Sequence, residues 1–172
     1  MTIYAGTGHR PVKLGGYSDE AVMMVNDFAV SILKDILPRP SLVISGMALG
    51  WDQALARAAI ILEIPFIAAI PFNGQEIAWP YPARLQYKNL LAKAASVEVI
   101  NPGAYAAWKM QKRNEWMVER CNILLALWDG STGGTKNCID YAQSLSRPIE
   151  PLWSRWEVYK CALQSRSSSS NH

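Results

Sequence analysis

Three short stretches of the chain set glycines among hydroxyl, amide and basic side chains, a combination suited to holding an anion. They read Gly6-Thr7-Gly8-His9-Arg10-Pro11, then Ser45-Gly46-Met47-Ala48-Leu49-Gly50-Trp51-Asp52, then Asp129-Gly130-Ser131-Thr132-Gly133-Gly134-Thr135-Lys136-Asn137. Glycine lets the backbone approach a ligand, and helix-start amides beside hydroxyls bind phosphate. Any one of the three could be no more than a tight turn; three at one sheet edge point to a ligand. His9 has the acidity for proton transfer near neutral pH, and Arg10 offers a donor fork for phosphate. The plainer account of Arg10-Pro11 is a stiffened loop exit. Asp52 suits ribose-hydroxyl recognition or general-base work, or it simply complements a helix dipole. Asp129 fits a turn cap better than a site.

Two common nucleotide motifs fail. A dinucleotide fingerprint requires G-x-G-x-x-G and a carboxylate ending the second strand. This chain has Pro11 in place of the third glycine, and Ser45-Gly46 at that strand's end. A P-loop requires G-x-x-x-x-G-K-[ST], and the chain offers Thr135-Lys136-Asn137 instead. A conventional NAD dehydrogenase or P-loop NTPase is therefore not expected.

The elements that must position these residues are legible from apolar spacing. Apolar runs at 2–7, 41–45, 65–70, 97–100, 122–128 and, weakly, 149–152 have the length of buried parallel strands. Between them, Val22, Val25, Ala29, Ile32, Leu33 and Ile36 recur at helical spacing, as do Ala54, Leu55, Ala58, Ala59 and Leu62, then Cys138, Ile139, Ala142 and Leu145. Ser18 with Asp19 and Glu20 suits a helix start, and Pro38 and Pro40 close that helix. Such alternation implies a parallel sheet with helices on both faces. The irregular stretch 72–82 suits a lid or pocket wall, or an aromatic-anchored crossover. Trp51 and Trp79 are the tryptophans best placed to stack on a base. Trp108 and Trp116 fit a core or dimer interface instead.

Composition narrows the classes. Half of the 172 residues are hydrophobic and 18% are charged, which excludes a disordered chain. A formal charge of +3 is mild for a protein that lives on nucleic-acid phosphates. No apolar run approaches the ~18 residues of a membrane span. A strand-like start at Thr2 leaves no room for a signal peptide. Three scattered cysteines and two histidines do not suggest a metal cluster. A cytoplasmic protein without metal or cofactor is expected.

Taken in order, GTGHRP, SGMALGWDQ and GSTGGTKNCIDYA resemble the SLOG superfamily, specifically its YspA/YpsA-related branch, across about residues 2–152. The resemblance implies a Rossmann-like fold that binds nucleotides or related ribose-phosphate ligands, commonly as a homodimer. That superfamily includes the DNA-binding DprA and the LOG phosphoribohydrolases, which cleave the N-glycosidic bond of cytokinin nucleotides. The LOG pattern M-H-x-R-K-x-x-M is matched by Met110-Gln111-Lys112-Arg113-Asn114-Glu115-Trp116-Met117, so Arg113 stands in the place of the active-site arginine. The histidine and lysine of the pattern are absent. Aligned on P-G-G-x-G-T-x-E-E, Gly134 and Thr135 fall on the phosphate loop and Asn137 falls where the catalytic glutamate belongs. An amide cannot take a proton as a carboxylate does. Gly50-Trp51-Asp52-Gln53 resembles a recurring motif of the branch, which favours Asp52 as a relocated base.

The expectation is a single α/β domain, Rossmann-like and three-layered, with a parallel sheet of five to seven strands over residues 1–163 and a disordered polar tail at 164–172. Its function is binding of a nucleotide or nucleotide derivative. Gly6, Thr7, His9 and Arg10 would contact the ligand from the first junction, and Ser45, Gly46 and Gly50 from the second. Asn114, Gly133, Gly134, Thr135 and Asn137 complete the set. As an enzyme it would hydrolyse the N-glycosidic bond of a nucleoside monophosphate, with Asp52 and Arg113 catalytic. A non-catalytic sensor or sequestering protein is the alternative that Asn137 favours, and a DprA-like DNA binder is a third.

Overall fold

Each apolar run becomes a strand of one parallel sheet. The computed structural model describes residues 1–170. Its strands are β1 (Ile3–Gly8), β2 (Leu42–Ser45), β3 (Phe66–Ile70), β4 (Ser96–Val99), β5 (Ile123–Leu127) and β6 (Ile149–Pro151). All pairings are parallel, in the order β4-β3-β2-β1-β5-β6. Ala5 of β1 sits opposite Ile44 on one side and Leu124 on the other. The helices are α1 (Asp19–Asp35), α2 (Trp51–Ile61), α3 (Tyr81–Leu91), α4 (Ala107–Arg120), α5 (Gly134–Ser144) and α6 (Trp153–Ser169). The fold is thus the expected single Rossmann-like α/β domain, and its strand count lies within the expected range.

Two cores lie on the two faces of the sheet. One packs Phe28 and Ile32 of α1, Trp51 and Leu55 of α2, Tyr87 of α3 and Trp156 of α6. The other packs Met117 and Val118 of α4 against Cys138 and Ile139 of α5. From β1 the chain winds outward through β2, β3 and β4, then returns to place β5 on the other side of β1. The loops leaving β1 and β5 therefore diverge, and the crevice between them is where ligands bind in open α/β sheets.

Local chemistry explains the boundaries. The Ser18 hydroxyl accepts the Ala21 amide at 3.1 Å, with Asp19 and Glu20 in the first turn of α1. The irregular segment gives way at Tyr81 to α3, which places Pro82 in the first turn where no amide donor is required. The sequence reading starts a tail at Gln164, whereas α6 continues to Ser169. Serine hydroxyls there donate back one turn, Ser165 to the Cys161 carbonyl and Ser169 to the Ser165 carbonyl. Residues 171 and 172 of the expected tail lie outside the described residues. Cys121 and Cys138 are buried and Cys161 is exposed.

Trp51 corrects one expectation. Its side chain is fully buried, tilted against Phe28 at 6.0 Å, and unavailable to a base. A Cβ on Gly8 would lie 2.6 to 2.8 Å from the Trp51 side chain. The second glycine of the first junction therefore makes room for a tryptophan behind the strand.

Candidate functional site

A cleft of about 230 Å³ opens at the carboxyl end of the sheet, between the loops that leave β1 and β5. Gly6 and Thr7 at the end of β1 and His9 and Arg10 in the loop after it line the cleft, as do Gly133, Gly134 and Thr135 at the start of α5. Asp52, at the start of α2, and Arg113 and Asn114, on α4, also line it. The structure thus brings together ten of the fourteen residues singled out in the sequence.

The other four stand behind the cleft or outside it. The fully buried Ser45 donates its hydroxyl to the Asp52 carbonyl at 2.6 Å and accepts the Met47 amide. Gly46 supplies a carbonyl to the Arg113 guanidinium, and a Cβ there would overlap that guanidinium. Gly50 has φ of 98°, and a Cβ on it would come within 2.5 Å of the His9 carbonyl oxygen. It lets the second junction abut the first. Asn137 is exposed on α5 and does not line the cleft.

The floor is an arginine and a carboxylate, both buried. The Arg113 guanidinium donates to the Gly46 carbonyl and, through Nε, to Asn114 Oδ1 at 3.0 Å. Asn114 in turn donates to the Gly134 carbonyl at 3.5 Å, which links α4 to the loop across the cleft. Burial raises the proton affinity of Asp52 despite Arg113, Arg10 and the Ala48 amide, all of which favour the carboxylate. Burial likewise lowers the pKa of Arg113, and Asp52 opposes it.

The wall opposite Asp52 is shaped for an anion. Helix α5 begins at Gly134 with Gly133 as its N-cap and no side-chain cap. Its first amides therefore have no partner within the helix. Gly133 has φ of 138°, a region where a side chain would strain the backbone, and nothing lies within 4 Å of the space a Cβ would take on Gly133 or Gly134. The Thr135 hydroxyl is anchored to the Gly8 carbonyl at 3.1 Å. Lys13 is paired with Asp129 at 2.8 Å, and Arg10 and Arg113 outnumber Asp52 among the other charged lining residues, so the cleft's charge favours an anionic ligand.

Gly8, Ala48, Met110, Ser131 and Thr132 also line the cleft, each from a stretch singled out in the sequence, whereas Lys13 belongs to none of those stretches. Lys13 sits on the short 3-10 turn Pro11–Lys13, outside any recognisable motif, and only the fold carries it across to the β5 loop. There its ammonium donates to Asp129 at 2.8 Å and to the Ser131 hydroxyl at 2.6 Å. Lys13 and Ser131 hold Asp129 far below the usual carboxylate range. His9 Nε2 lies 2.8 Å from Asp129 Oδ1 and 3.0 Å from its backbone nitrogen, with the ring edge-on to Trp153 at 5.6 Å. With Nε2 committed to Asp129, His9 fastens the β1 loop to the β5 loop as well as facing the cleft.

A family model described as the YspA SLOG family matches residues 4–147. The SPbeta prophage-derived protein YoqJ of Bacillus subtilis is 32% identical over 142 residues, covering 71% of this chain and 82% of that one. A UPF0398 protein of Bacillus thuringiensis is 25% identical over 166 residues, covering 87% of this chain and 86% of its own. Among solved structures, DNA processing protein A (DprA) of Streptococcus pneumoniae superposes with a TM-score of 0.62 at 19% identity, covering 87% of this chain. This chain spans half the length of that protein. The molybdenum cofactor carrier protein of Chlamydomonas reinhardtii gives 0.53 at 14% identity, covering 87% of this chain and 75% of that one. At such identities the structural likeness speaks for the fold alone.

Proposed function

The chain belongs to the YspA SLOG family, and from that premise we propose that its cleft binds the ribose-phosphate portion of a nucleotide or nucleotide derivative. One observation carries the reading: the uncapped, glycine-flanked start of α5 opens into a cleft whose floor holds the buried Asp52 and Arg113. The phosphate is held by the first amides of α5, with Lys13 beside it. A ribose then lies towards Asp52, whose carboxyl accepts hydrogen bonds from hydroxyl groups. Arg113 and Arg10 balance the negative charge.

A second reading, hydrolysis of the bond between ribose and base, is favoured by the raised proton affinity of Asp52. A carboxylate shifted in that direction is a better base for activating water. In that reaction water adds to the ribose carbon as the carbon–nitrogen bond breaks. Asp52 takes the water's proton, and the departing base recovers one.

Thermal unfolding with ribose 5-phosphate, AMP, ADP-ribose, NAD, cyclic nucleotides and adenosine tests the binding. Phosphate-bearing ligands at a hundredfold excess over Kd should raise Tm by about 5–10 °C, and adenosine should not. No stabilisation by any of them rejects the reading. Chromatography of the incubated mixtures settles the chemistry. An intact ligand means a binder or sensor, whereas released base that disappears in Asp52→Asn means hydrolysis. Single-stranded DNA belongs in the same panel, since salt-sensitive binding of it would point to the DNA-binding alternative.

A further inference from the structure

Beside the cleft lies a second cavity of about 400 Å³. Arg10 and Met110 line both, so these two side chains form the partition between them. Phe72, Ile77, Trp79 and Tyr105 form much of the remaining wall. Phe72 is buried and meets the Tyr105 ring edge-on, with centroids 5.4 Å apart at 79°. Trp79 meets the core residue Tyr87 in the same way, 5.3 Å apart at 88°. Tyr105 is nevertheless 68% exposed and Ile77 72% exposed. An aromatic and a large aliphatic side chain therefore stand largely in solvent around a cavity that adjoins the cleft.

The cavity is held open by its backbone. The Asn73 amide donates to the Gly103 carbonyl, and the Gly103 amide donates back to Asn73 Oδ1 at 2.9 Å. These bonds tie the loop after β3 to the loop before α4. Gly74, with φ of 80°, turns the first loop, and the Ile77 amide closes that turn on its carbonyl. The Gln75 amide and one oxygen of the wall are already engaged. Gln75 donates to the Gly46 carbonyl and accepts from the Tyr87 hydroxyl, and Asn73 Oδ1 is taken by Gly103.

The cleft alone is smaller than the ~300–1,000 Å³ common for small-molecule sites, so a ligand longer than a ribose-phosphate must extend out of it. We propose that this annex takes the flat heteroaromatic base of the ligand, with the Tyr105 ring, backed by Phe72, along one face and the planar Arg10 guanidinium available to the other. The proposal rests on the ribose-phosphate reading of the adjoining cleft. Stacking on aromatic rings and on an arginine plane accepts any base, because every base has a π-face. With the Gln75 amide and Asn73 Oδ1 engaged, the annex reads the faces of the base more than its edges.

Titration calorimetry with ribose 5-phosphate, AMP and GMP tests this on wild type, Tyr105→Ala and Tyr105→Phe. Tyr105 is mostly exposed, so its truncation leaves the fold intact. AMP should bind about tenfold or more tightly than ribose 5-phosphate, as expected for one stacked base, with GMP close to AMP. Tyr105→Ala should remove most of that advantage and leave ribose 5-phosphate unchanged, and Tyr105→Phe should restore it. Equal affinity for AMP and ribose 5-phosphate overturns the annex while the cleft reading stands. So does an AMP affinity indifferent to Tyr105→Ala. If ribose 5-phosphate fails to bind at millimolar concentration, the cleft reading falls and the annex with it.

Discussion

Burial makes Asp52 hold a proton more tightly in the fold than in the unfolded chain. Its charged form therefore has no cost below about pH 4 and a rising one above it, until the folded carboxyl has ionised. The stability of Asp52→Asn relative to wild type should climb with pH through that window and then level off. Urea unfolding at a series of pH values measures this, and a constant difference would refute it. Asp129 titrates with the opposite sign, since its pKa is depressed by Lys13 and Ser131, but it is common to both proteins and drops out of the comparison. At the phosphate wall, Gly134→Ala meets no neighbour, so Tm should hold while the affinity for AMP drops roughly tenfold, a ~1.4 kcal/mol loss. A large fall in Tm would show the glycine to be structural. Residue types in the sequence exposed the glycines, Asp52 and Arg10, and resemblance to a family motif picked out Arg113. What remained hidden was reach. Lys13 and Asp129 are 116 positions apart, yet their side chains meet at 2.8 Å, and no spacing rule carries such a pair.

Among the elements, β1 and α2 are fitted to each other by Gly8 and Trp51. Gly8→Ala forces a methyl group into the tryptophan ring, and overpacking of this kind costs about 1–3 kcal/mol. The double variant Gly8→Ala with Trp51→Phe should recover part of the loss, and denaturant midpoints of the three proteins check it. Simple additivity would mean that the two do not share one space. Strand lengths and the capped start of α1 were legible because apolar runs and a serine before two acids are local signals. The function of the β1 glycines was not. A sequence shows that a side chain is missing without showing whether a ligand or a neighbouring helix fills the space. Helix α3 was hidden for a related reason: two prolines and two aromatics at its start look like an irregular crossover, although a proline fits a first helical turn.

Across the whole molecule, burial changes sharply along a single element. The serine-rich end of α6 is exposed from Gln164 onward among the described residues, whereas Trp156 on the same helix is fully buried against Phe28. A chain ending at Leu163 should keep its Tm within about 2 °C, as expected for exposed residues worth less than ~0.5 kcal/mol. Trp156→Ala should lose about 3–5 kcal/mol. Calorimetry of the two variants separates the cases, and a large loss on truncation would give the serine turns a packing role. The turn-back from β4 to β5 that opens the crevice followed from strand–helix alternation only as a class of fold, because alternation does not state strand order. The uneven burial of the three thiols has a practical use. Burial pushes Cys121 up to about 11 and Cys138 up to about 12, so neither is a ready nucleophile at neutral pH. Cys161, exposed on α6, is left as the single handle on which a maleimide dye would report from the native chain without any engineered attachment point.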